Sequence, residues 1–413
     1  MRFALLAGAA LAALRVAAAA ASPTDSGQNF AQIERGRYLT AAADCAACHT
    51  TQGQDAPFSG GRPIETPFGI VLAANITPDR ATGIGGWSDA QFDAALRRGV
   101  RPDGKRLYPA MPYPYYTRMT RDDVLAIRAY LRTVQPVHHV VDTNQLSFPF
   151  RLRIGMRIWN ALYFDAGEFK PDPQQSGQWN RGAYLVEGPG HCAACHTPKT
   201  SLGGDENRQR FRGYAIQRWF APDITNDAAR GLGNWSANDI VEFLRKGHNR
   251  FDAAAGPMGE EVSDSSSHLT QADLEAIAAY LKEVPGETER RRPLAAGDAV
   301  MKAGAAIYED RCAACHKMDG TGVPYMFPDL AAASSVASRD PTTVLRVLLR
   351  GASSVATQEE PTGPAMPAFG RELTDAQIAA VGTYIRNSWG HAASAVSAGD
   401  VGKARKSFAA DSD

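Results

Sequence analysis

Three segments of the chain share one arrangement of polar and apolar positions. They are "TRDDVLAIRAYLRTV" (120–134), "TQADLEAIAAYLKEV" (270–284) and "TDAQIAAVGTYIRNSW" (374–389). Each opens with threonine, carries Asp or Gln three residues later, and then places apolar residues at helical spacing. A capping threonine followed by an acidic or amide residue is typical of a helix N-terminus. The pattern therefore predicts three equivalent helices.

A further helix is predicted upstream of each of these. The segments 75–99 and 223–247 align along their whole length, and 340–351 provides a looser third copy. In every copy a capping residue precedes the apolar run and a glycine ends it. These residues are Ser88 and Gly99, Ser236 and Gly247, and Asp340 and Gly351.

A third recurring element comes first in each copy. It reads "RGRYL" at 35–39, "RGAYL" at 181–185 and, more loosely, "AGAAIY" at 303–308. Such self-similarity marks tandem units. We predict three domains, a linker, and a C-terminal tail that is flexible or orders on a partner. The boundaries are 27–140, 176–288 and 297–391 for the domains, 141–175 for the linker and 392–413 for the tail.

The pentapeptide "CAACH" follows the first helix of every copy, and the three copies use all 6 cysteines of the chain. A structural zinc site would need two further ligands near each pair, and a thioredoxin-like motif would need a βαβ unit. Disulfides are open to an exported chain, but a histidine directly after each Cys-x-x-Cys pair is the attachment signature of haem c. We therefore predict three covalent haem c groups. The predicted thioether residues are Cys45, Cys48, Cys192, Cys195, Cys312 and Cys315, and the predicted proximal iron ligands are His49, His196 and His316.

A methionine beside a proline lies between the middle and last helix of each copy, in a segment that we predict to be a loop. The three are Met111, Met258 and Met366. The spacing from the proximal histidine is 62 residues in the first two copies and 50 in the shorter third copy. A thioether as second axial ligand raises the potential relative to two imidazoles, so we predict these as the distal ligands. The five other candidates, Met119, Met156, Met301, Met318 and Met326, are predicted to fill core space.

Short helices around a covalent haem describe the class I cytochrome c fold, so the predicted fold class is all-α, with three tandem domains of this kind. The proximal imidazole also needs a hydrogen-bond acceptor for its second nitrogen. In the third copy, "MFPDL" offers the carbonyl of Pro328 for this purpose. For the first two copies the sequence leaves the acceptor open.

The N-terminus predicts export. Arg2, the apolar run Phe3–Leu14 and the small residues Ala17–Ala21 are typical of a secretory signal peptide, here 1–21. We therefore expect an exported protein. Lys plus Arg and Asp plus Glu balance at 44 each, which argues against nucleic acid as a partner.

The predicted linker contains an unusual basic and aromatic stretch, "FPFRLRIGMRIWNALYF" (148–164). One interpretation is a helix packed across a domain interface. The other is a surface that lies on lipid head groups or against a partner subunit, since arginines alternate with large apolar residues. The sequence leaves both open.

Several phrases carry a resemblance to a known family. They are "AMPYPYY", "RGAYLVEGPGHCAACHTPK", "WFAPDITND", "GLGNWS", "MDGTGVPYMFPDL" and "AMPAF". Over nearly all residues after the signal, the chain resembles the triheme cytochrome c subunit of membrane-bound periplasmic dehydrogenases. That family includes flavin-dependent gluconate, sorbitol and fructose dehydrogenases and quinoprotein alcohol dehydrogenases.

The resemblance implies a chain that is not an enzyme on its own and has no catalytic residues. It would take electrons from a catalytic dehydrogenase subunit, FAD-dependent rather than PQQ-dependent, and pass them to ubiquinone, with a small accessory subunit as a further possible partner. The resemblance also implies a periplasmic chain attached to the face of the cytoplasmic membrane. Three alternatives stay open: the cytochrome subunit of a quinoprotein alcohol dehydrogenase, a free-standing multihaem carrier, and a haem peroxidase with one open iron site. The peroxidase fits poorly, because all three copies offer a methionine.

Overall fold

A computed structural model of the chain describes residues 29–51, 53, 56–287 and 292–409. The predicted signal peptide lies outside these residues. The described chain folds into three mainly helical units in tandem, each with its own apolar core.

The first unit begins with the haem-motif helices and a small sheet. Its elements are α1 (Phe30–Ala42), α2 (Cys45–His49), β1 (Pro63–Thr66), β2 (Gly69–Leu72), α3 (Asp89–Arg98), α4 (Tyr113–Tyr116), α5 (Arg121–Leu131), β3 (Gln145–Leu146) and α6 (Gly155–Tyr163). The sheet is antiparallel in the order β1–β2–β3, with Thr66 opposite Gly69 and Gly69 opposite Leu146. Strand β3 and helix α6 come from the predicted linker.

The second unit repeats this order without a third strand. Its elements are α7 (Gly177–Glu187), α8 (Ala193–His196), β4 (Arg212–Ile216), β5 (Trp219–Asp223), α9 (Ala237–Lys246), α10 (Pro257–Asp264) and α11 (Gln271–Leu281). Strands β4 and β5 form an antiparallel hairpin with Ile216 opposite Trp219. The core of this unit includes Ala42 and Tyr115 from the first unit, so the two share apolar packing.

The third unit is shorter between its haem motif and its middle helix. Its elements are α12 (Ala299–Arg311), α13 (Ala313–His316), α14 (Ser334–Ala337), α15 (Thr342–Arg350), β6 (Ala352–Ser353), β7 (Ala365–Met366), α16 (Asp375–Ile385) and α17 (Ala398–Phe408). Strands β6 and β7 pair with Ala352 opposite Met366.

The predicted helices form, and their predicted N-caps are observed except in α15. There the cap position is Pro341 rather than the predicted Asp340, whose Oδ1 accepts from the amide of Thr342 at 2.7 Å. Ser88 and Ser236 make reciprocal capping boxes with Gln91 and Asp239, which satisfies amides that have no partner within the helix. The glycines that end α3 and α9 take left-handed backbone angles, φ 61° and 81°, which suit glycine best. Threonines 120, 270 and 374 each accept a hydrogen bond from the amide three residues later.

The first helix of each unit crosses α5, α11 or α16, respectively, at a glycine. Gly36, Gly182 and Gly304 are so close to backbone carbonyls of these helices that a Cβ atom would overlap them. The side chains of Tyr130, Tyr280 and Tyr384 cover the same crossing points, as their equivalent positions in the three copies predict. This close approach fixes the end of each first helix, from which the haem motif follows.

The all-α prediction is wrong in one respect, because each unit contains short strands. The hairpins β1–β2 and β4–β5 lie between the haem motif and the middle helix. Gln217 and Arg218, at the two-residue turn of the second hairpin, both have positive φ, 47° and 60°. Two-residue turns with positive φ are typical of hairpins, but in a sequence they are usually indicated by Asn-Gly or Asp-Gly. The pair Gln217-Arg218 therefore does not predict a turn.

The prediction of a flexible tail is also wrong for the described residues up to 409. Helix α17 starts with a capping box between Ser397 and Asp400 and packs against α15 and α16. Val401 and Phe408 are buried in the core of the third unit. The helix is amphipathic, because Val401 and Phe408 face the core whereas Lys403, Lys406 and Ser407 are exposed.

Candidate haem sites

One continuous cavity runs through all three units. Its volume is about 2140 Å³, and all twelve predicted attachment and ligand residues line it. A pocket for one small molecule has a volume of about 300–1,000 Å³. The cavity is therefore of a size for several large cofactors, and the predicted donors surround it.

The cysteines and histidines lie on single helical turns. In the first unit α2 spans the whole motif, from Cys45 to His49. In the other two units the histidine amide donates to the carbonyl of the first cysteine, at 3.0 Å for His196 and 2.9 Å for His316. Two cysteines three residues apart therefore lie on one helix face, beside the histidine. No disulfide joins any two of the 6 cysteines.

Each predicted proximal histidine is held by a backbone carbonyl. The Nδ1 atom lies 2.6 Å from the Ala74 oxygen for His49, 2.7 Å from the Pro222 oxygen for His196, and 3.1 Å from the Pro328 oxygen for His316. The Pro328 prediction is confirmed. A carbonyl accepts only from a protonated nitrogen, so Nδ1 carries the proton and Nε2 keeps its lone pair for a metal.

The acceptors Ala74 and Pro222 are missed from the sequence, although a signal exists. All three acceptors directly precede Asn or Asp, in "AAN", "APD" and "FPD". The following side chain shapes the turn in the first two units, where Asn75 Oδ1 and Asp223 Oδ1 accept from the amides of Thr77 and Thr225, both two residues on. In the second unit, strand β5 brings Pro222 to the histidine.

Burial keeps the imidazoles neutral. It lowers the pKa of His49, His196 and His316 below the usual range for histidine, while the carbonyl bond opposes this shift. Burial also raises the pKa of the Cys195 and Cys312 thiols to about 11. Both shifts reflect an apolar site from which water is largely excluded.

The three methionines line the cavity in different local structures. Met111 lies in a loop before α4, as predicted. Met258 is the second residue of α10, and Met366 ends strand β7, so the prediction of a loop is wrong for both. Pro257 explains why Met258 lies in a helix, because proline is favoured at the first position of a helix.

The other methionines follow the core-filling prediction only in part. Met119, Met156 and Met301 are buried, whereas Met318 and Met326 are more than half exposed. Both exposed residues lie in the loop that follows the third haem motif, and Met326 lines the cavity.

The donor set fits haem c. Each unit provides two thiols on one helical turn, one neutral imidazole with a free Nε2, and one half-buried thioether at the same cavity. The walls are aromatic and aliphatic, for example Trp87 and Phe92 in the first unit and Trp235 and Phe243 in the second. An apolar macrocycle would find suitable contacts there.

One link between neighbouring sites is not apparent from the sequence. Arg62 donates to the carbonyl of Ala47, inside the first haem motif, and its Nη2 lies 2.6 Å from Glu260 Oε2. Glu260 belongs to α10, the helix that carries Met258. The attachment helix of one site and the methionine helix of the next are thus joined through one arginine.

Comparisons with known proteins agree with this geometry. The family model described as cytochrome c matches residues 33–135, 180–285 and 301–389. The chain is 40% identical over 407 residues to the gluconate 2-dehydrogenase cytochrome c subunit of Pantoea cypripedii. The aligned region covers 94% of this chain and 92% of that protein.

Two further relatives align almost from end to end. The cytochrome c subunit of alcohol dehydrogenase (quinone) from Gluconacetobacter polyoxogenes is 38% identical, over 98% of this chain and 88% of that protein. The fructose dehydrogenase cytochrome subunit of Gluconobacter japonicus is 37% identical, over 96% of this chain and 87% of that protein. With a family match in each of its three units, this chain belongs to the cytochrome c family.

Proposed function

We propose that this chain is the triheme electron-transfer subunit of a dehydrogenase complex. The supporting observation is the cavity that joins three equivalent donor sets through three successive units. The relatives are named as cytochrome subunits of dehydrogenases, which supports a separate catalytic subunit as the electron donor. On this proposal the chain relays electrons and oxidises no substrate itself.

The proposed role of each site residue follows from its chemistry. The cysteine pairs hold the three haems as thioethers, and the iron ligands are His49 with Met111, His196 with Met258, and His316 with Met366. The chemistry that a bound haem supplies is one-electron transfer between ferric and ferrous iron. The carbonyls of Ala74, Pro222 and Pro328 fix the imidazoles, and the apolar walls limit rearrangement of water when the charge on the iron changes.

The donor and acceptor are proposed by chemical class. The phrases "GHNRFDAAAGPMGEEVSDSSSHLT" (247–270) and "WFAPDIT" (219–225) favour a flavin-containing catalytic subunit over a PQQ-containing one. Ubiquinone is the proposed acceptor, and the proposed compartment is the periplasm, at the face of the cytoplasmic membrane. The apolar run that precedes the described residues supports export.

The test of this function is a visible spectrum of the native membrane-bound complex during addition of gluconate, sorbitol, fructose and ethanol in turn. We expect one of them to reduce the c-type haems rapidly, which would also name the partner's substrate. If none reduces them, and a quinol or another cytochrome does, the chain is a free-standing carrier and the proposal is wrong.

Membrane attachment is proposed at helix α6 and the residues before it. No helix in the described ranges combines the length and apolarity needed to cross a membrane. Instead, an apolar row stands exposed along one face, with Ile154, Ile158 and Leu162 each more than 60% exposed and Phe148 71% exposed. Spacing of four residues aligns the first three on one helix face.

The opposite face of α6 packs against the rest of the chain. The segment therefore combines the two interpretations, a helix packed at a domain interface and an exposed surface. Met156 and Asn160 are buried, and Tyr113 donates a 2.5 Å hydrogen bond to Asn160 Oδ1 in the first unit. Trp159 Nε1 donates to the Leu202 carbonyl of the second unit at 2.9 Å. A helix with one face on protein and an apolar face outward is suited to lie in the lipid interface.

Replacing Ile154, Ile158 and Leu162 by serine is expected to lower binding of the purified chain to phosphatidylglycerol and phosphatidylethanolamine vesicles. Burial of each side chain contributes about 1.5–3 kcal/mol, so binding should fall by at least about 100-fold. The measurement is vesicle co-sedimentation. Val140→Ser, at an exposed apolar residue outside α6, is the control and should bind like wild type. Undiminished binding of the triple variant would exclude α6 as the attachment site.

A further inference from the structure

Units one and two exchange a pair of equivalent hydrogen bonds. Tyr38 of the first unit donates to Asp273 Oδ2 of the second at 2.5 Å. Tyr184 of the second unit donates to Asp123 Oδ2 of the first. Tyr38 and Tyr184 occupy the same place in "RGRYL" and "RGAYL", and each aspartate lies three residues after its capping threonine. The contact is therefore reciprocal, like that of a two-fold symmetric dimer.

The surrounding contacts obey the same symmetry. Arg181 binds Asp273 through two nitrogens, at 2.8 and 2.7 Å, and Arg35 Nε lies 2.6 Å from Asp123 Oδ1. The amide of Thr270 donates to the Tyr38 hydroxyl at 3.2 Å. The amide of Thr120 donates to the Tyr184 hydroxyl at 3.4 Å. Each tyrosine thus joins an arginine-bound carboxylate and a helix N-terminus of the other unit.

Both aspartates are removed from water. Asp123 is 1% exposed and Asp273 is 9% exposed, and Tyr184 is 7% exposed. Burial, and then the neighbouring Asp123 carboxylate, raises the pKa of Tyr184, so its hydroxyl stays protonated and donates. A hydrogen bond to a charged acceptor is shorter and stronger than one between neutral groups.

The third unit lacks all three groups. Gly304 matches Gly36 and Gly182 at the helix crossing, which fixes the alignment. On that alignment Ala303 stands in place of the arginine and Ala306 in place of the tyrosine, and Gln377 replaces the aspartate. The third unit instead contacts the second through backbone pairs such as Val355 N to Ala254 O, at 3.1 Å.

We propose that Tyr38 and Tyr184 are positioning residues that clamp units one and two into a single two-haem body. Each tyrosine lies on the helix that leads into a haem motif, 7 residues before Cys45 and 8 before Cys192. Fixing these two helices against each other fixes the distance and orientation of the first two haems. This inference rests on the proposed haem in each unit, but not on the identity of the donor or acceptor.

The test compares full-length triheme protein carrying Tyr38→Phe and Tyr184→Phe with wild type. Loss of one hydrogen bond to a charged group changes an equilibrium constant roughly tenfold. The equilibrium constant for separation of units one and two should therefore be about 100-fold larger in the double variant than in wild type. The distances between ferric haems are measured by pulsed dipolar electron paramagnetic resonance over a series of urea concentrations below global unfolding.

In wild type, we expect the distance between the first two haems to persist until the thioether-to-iron absorption is lost. In the double variant this distance should broaden at lower urea, before that absorption changes. Tyr280→Phe is the matched control, because its hydroxyl donates to Glu187 within the second unit at 2.7 Å. This variant should leave the distance between the first two haems unchanged at every urea concentration at which the second unit remains folded.

A double variant whose haem distances stay narrow at every urea concentration below unfolding overturns the clamp. Equal broadening in Tyr280→Phe also overturns it, since the effect would then be general destabilisation. Failure of the proposed function looks different: the wild-type protein would carry fewer than three haems, or its complex would not reduce them with any of the substrates.

Discussion

Replacing Cys192 and Cys195 by alanine is expected to leave two haems on the chain and to abolish electron delivery to the acceptor. The second unit contacts both neighbours, through Tyr38 with Asp273 on one side and through the Phe220 and Thr343 pair on the other. A relay that lacks its middle site has no short path between its ends. This variant therefore removes more function than any change at a single ligand.

Stability should fall together with function. The second haem is proposed to fill space against Trp235, Phe243 and Leu281, all of which line the cavity. Truncation of a single buried aromatic side chain destabilises a protein by about 3–5 kcal/mol, and a macrocycle makes more contacts than one ring. We expect the second unit to unfold at lower temperature, while the third keeps its transition.

Mass spectrometry of the denatured chain counts the covalent haems, and substrate-dependent quinone reduction by the complex measures the relay. Asn226→Ala, at an exposed loop residue of the same unit that does not line the cavity, is the control and should keep three haems and full reduction. A double cysteine variant that still carries three haems would contradict the attachment assignment. Full quinone reduction with two haems would contradict a relay that passes through the second unit.

Replacing Met111 by leucine is expected to remove one third of the thioether-to-iron absorption and to lower the potential of one haem. Leucine has nearly the volume of methionine, so the fold should be kept within about 1.5 kcal/mol. It offers no lone pair, and loss of the thioether ligand lowers the potential. Optical redox titration of the purified chain separates this haem from the other two.

Met119 provides the matched control within the same unit. It is fully buried in the apolar core of the first unit, and its side chain is predicted to fill space rather than bind iron. Met119→Leu should therefore leave the spectrum and all three potentials unchanged. An unchanged spectrum in Met111→Leu, or an equal change in both variants, would exclude Met111 as the ligand.

The sequence alone predicted those features that depend on residues close together in the chain. Capping pairs such as Ser88 with Gln91 act over three residues, and a Cys-x-x-Cys-His motif fits on one helical turn. Their geometry follows from helical spacing, which is the same wherever the helix lies in the fold. The sequence predicts the Pro328 carbonyl as an acceptor because Pro328 lies only 12 residues from His316, within the segment "MFPDL".

The tertiary structure decided what depends on distant or weakly signalled residues. Ala74 and Pro222 meet their histidines 25 and 26 residues away, through a backbone carbonyl that every residue possesses and that only the Asn or Asp after it indicates. Tyr38 and Asp273 are 235 residues apart, so their pairing depends on how two finished units dock. Helix α17 forms because the third unit offers an apolar surface for Val401 and Phe408. Local spacing therefore determined the donor sets, whereas packing between separately formed elements determined how they are held and joined.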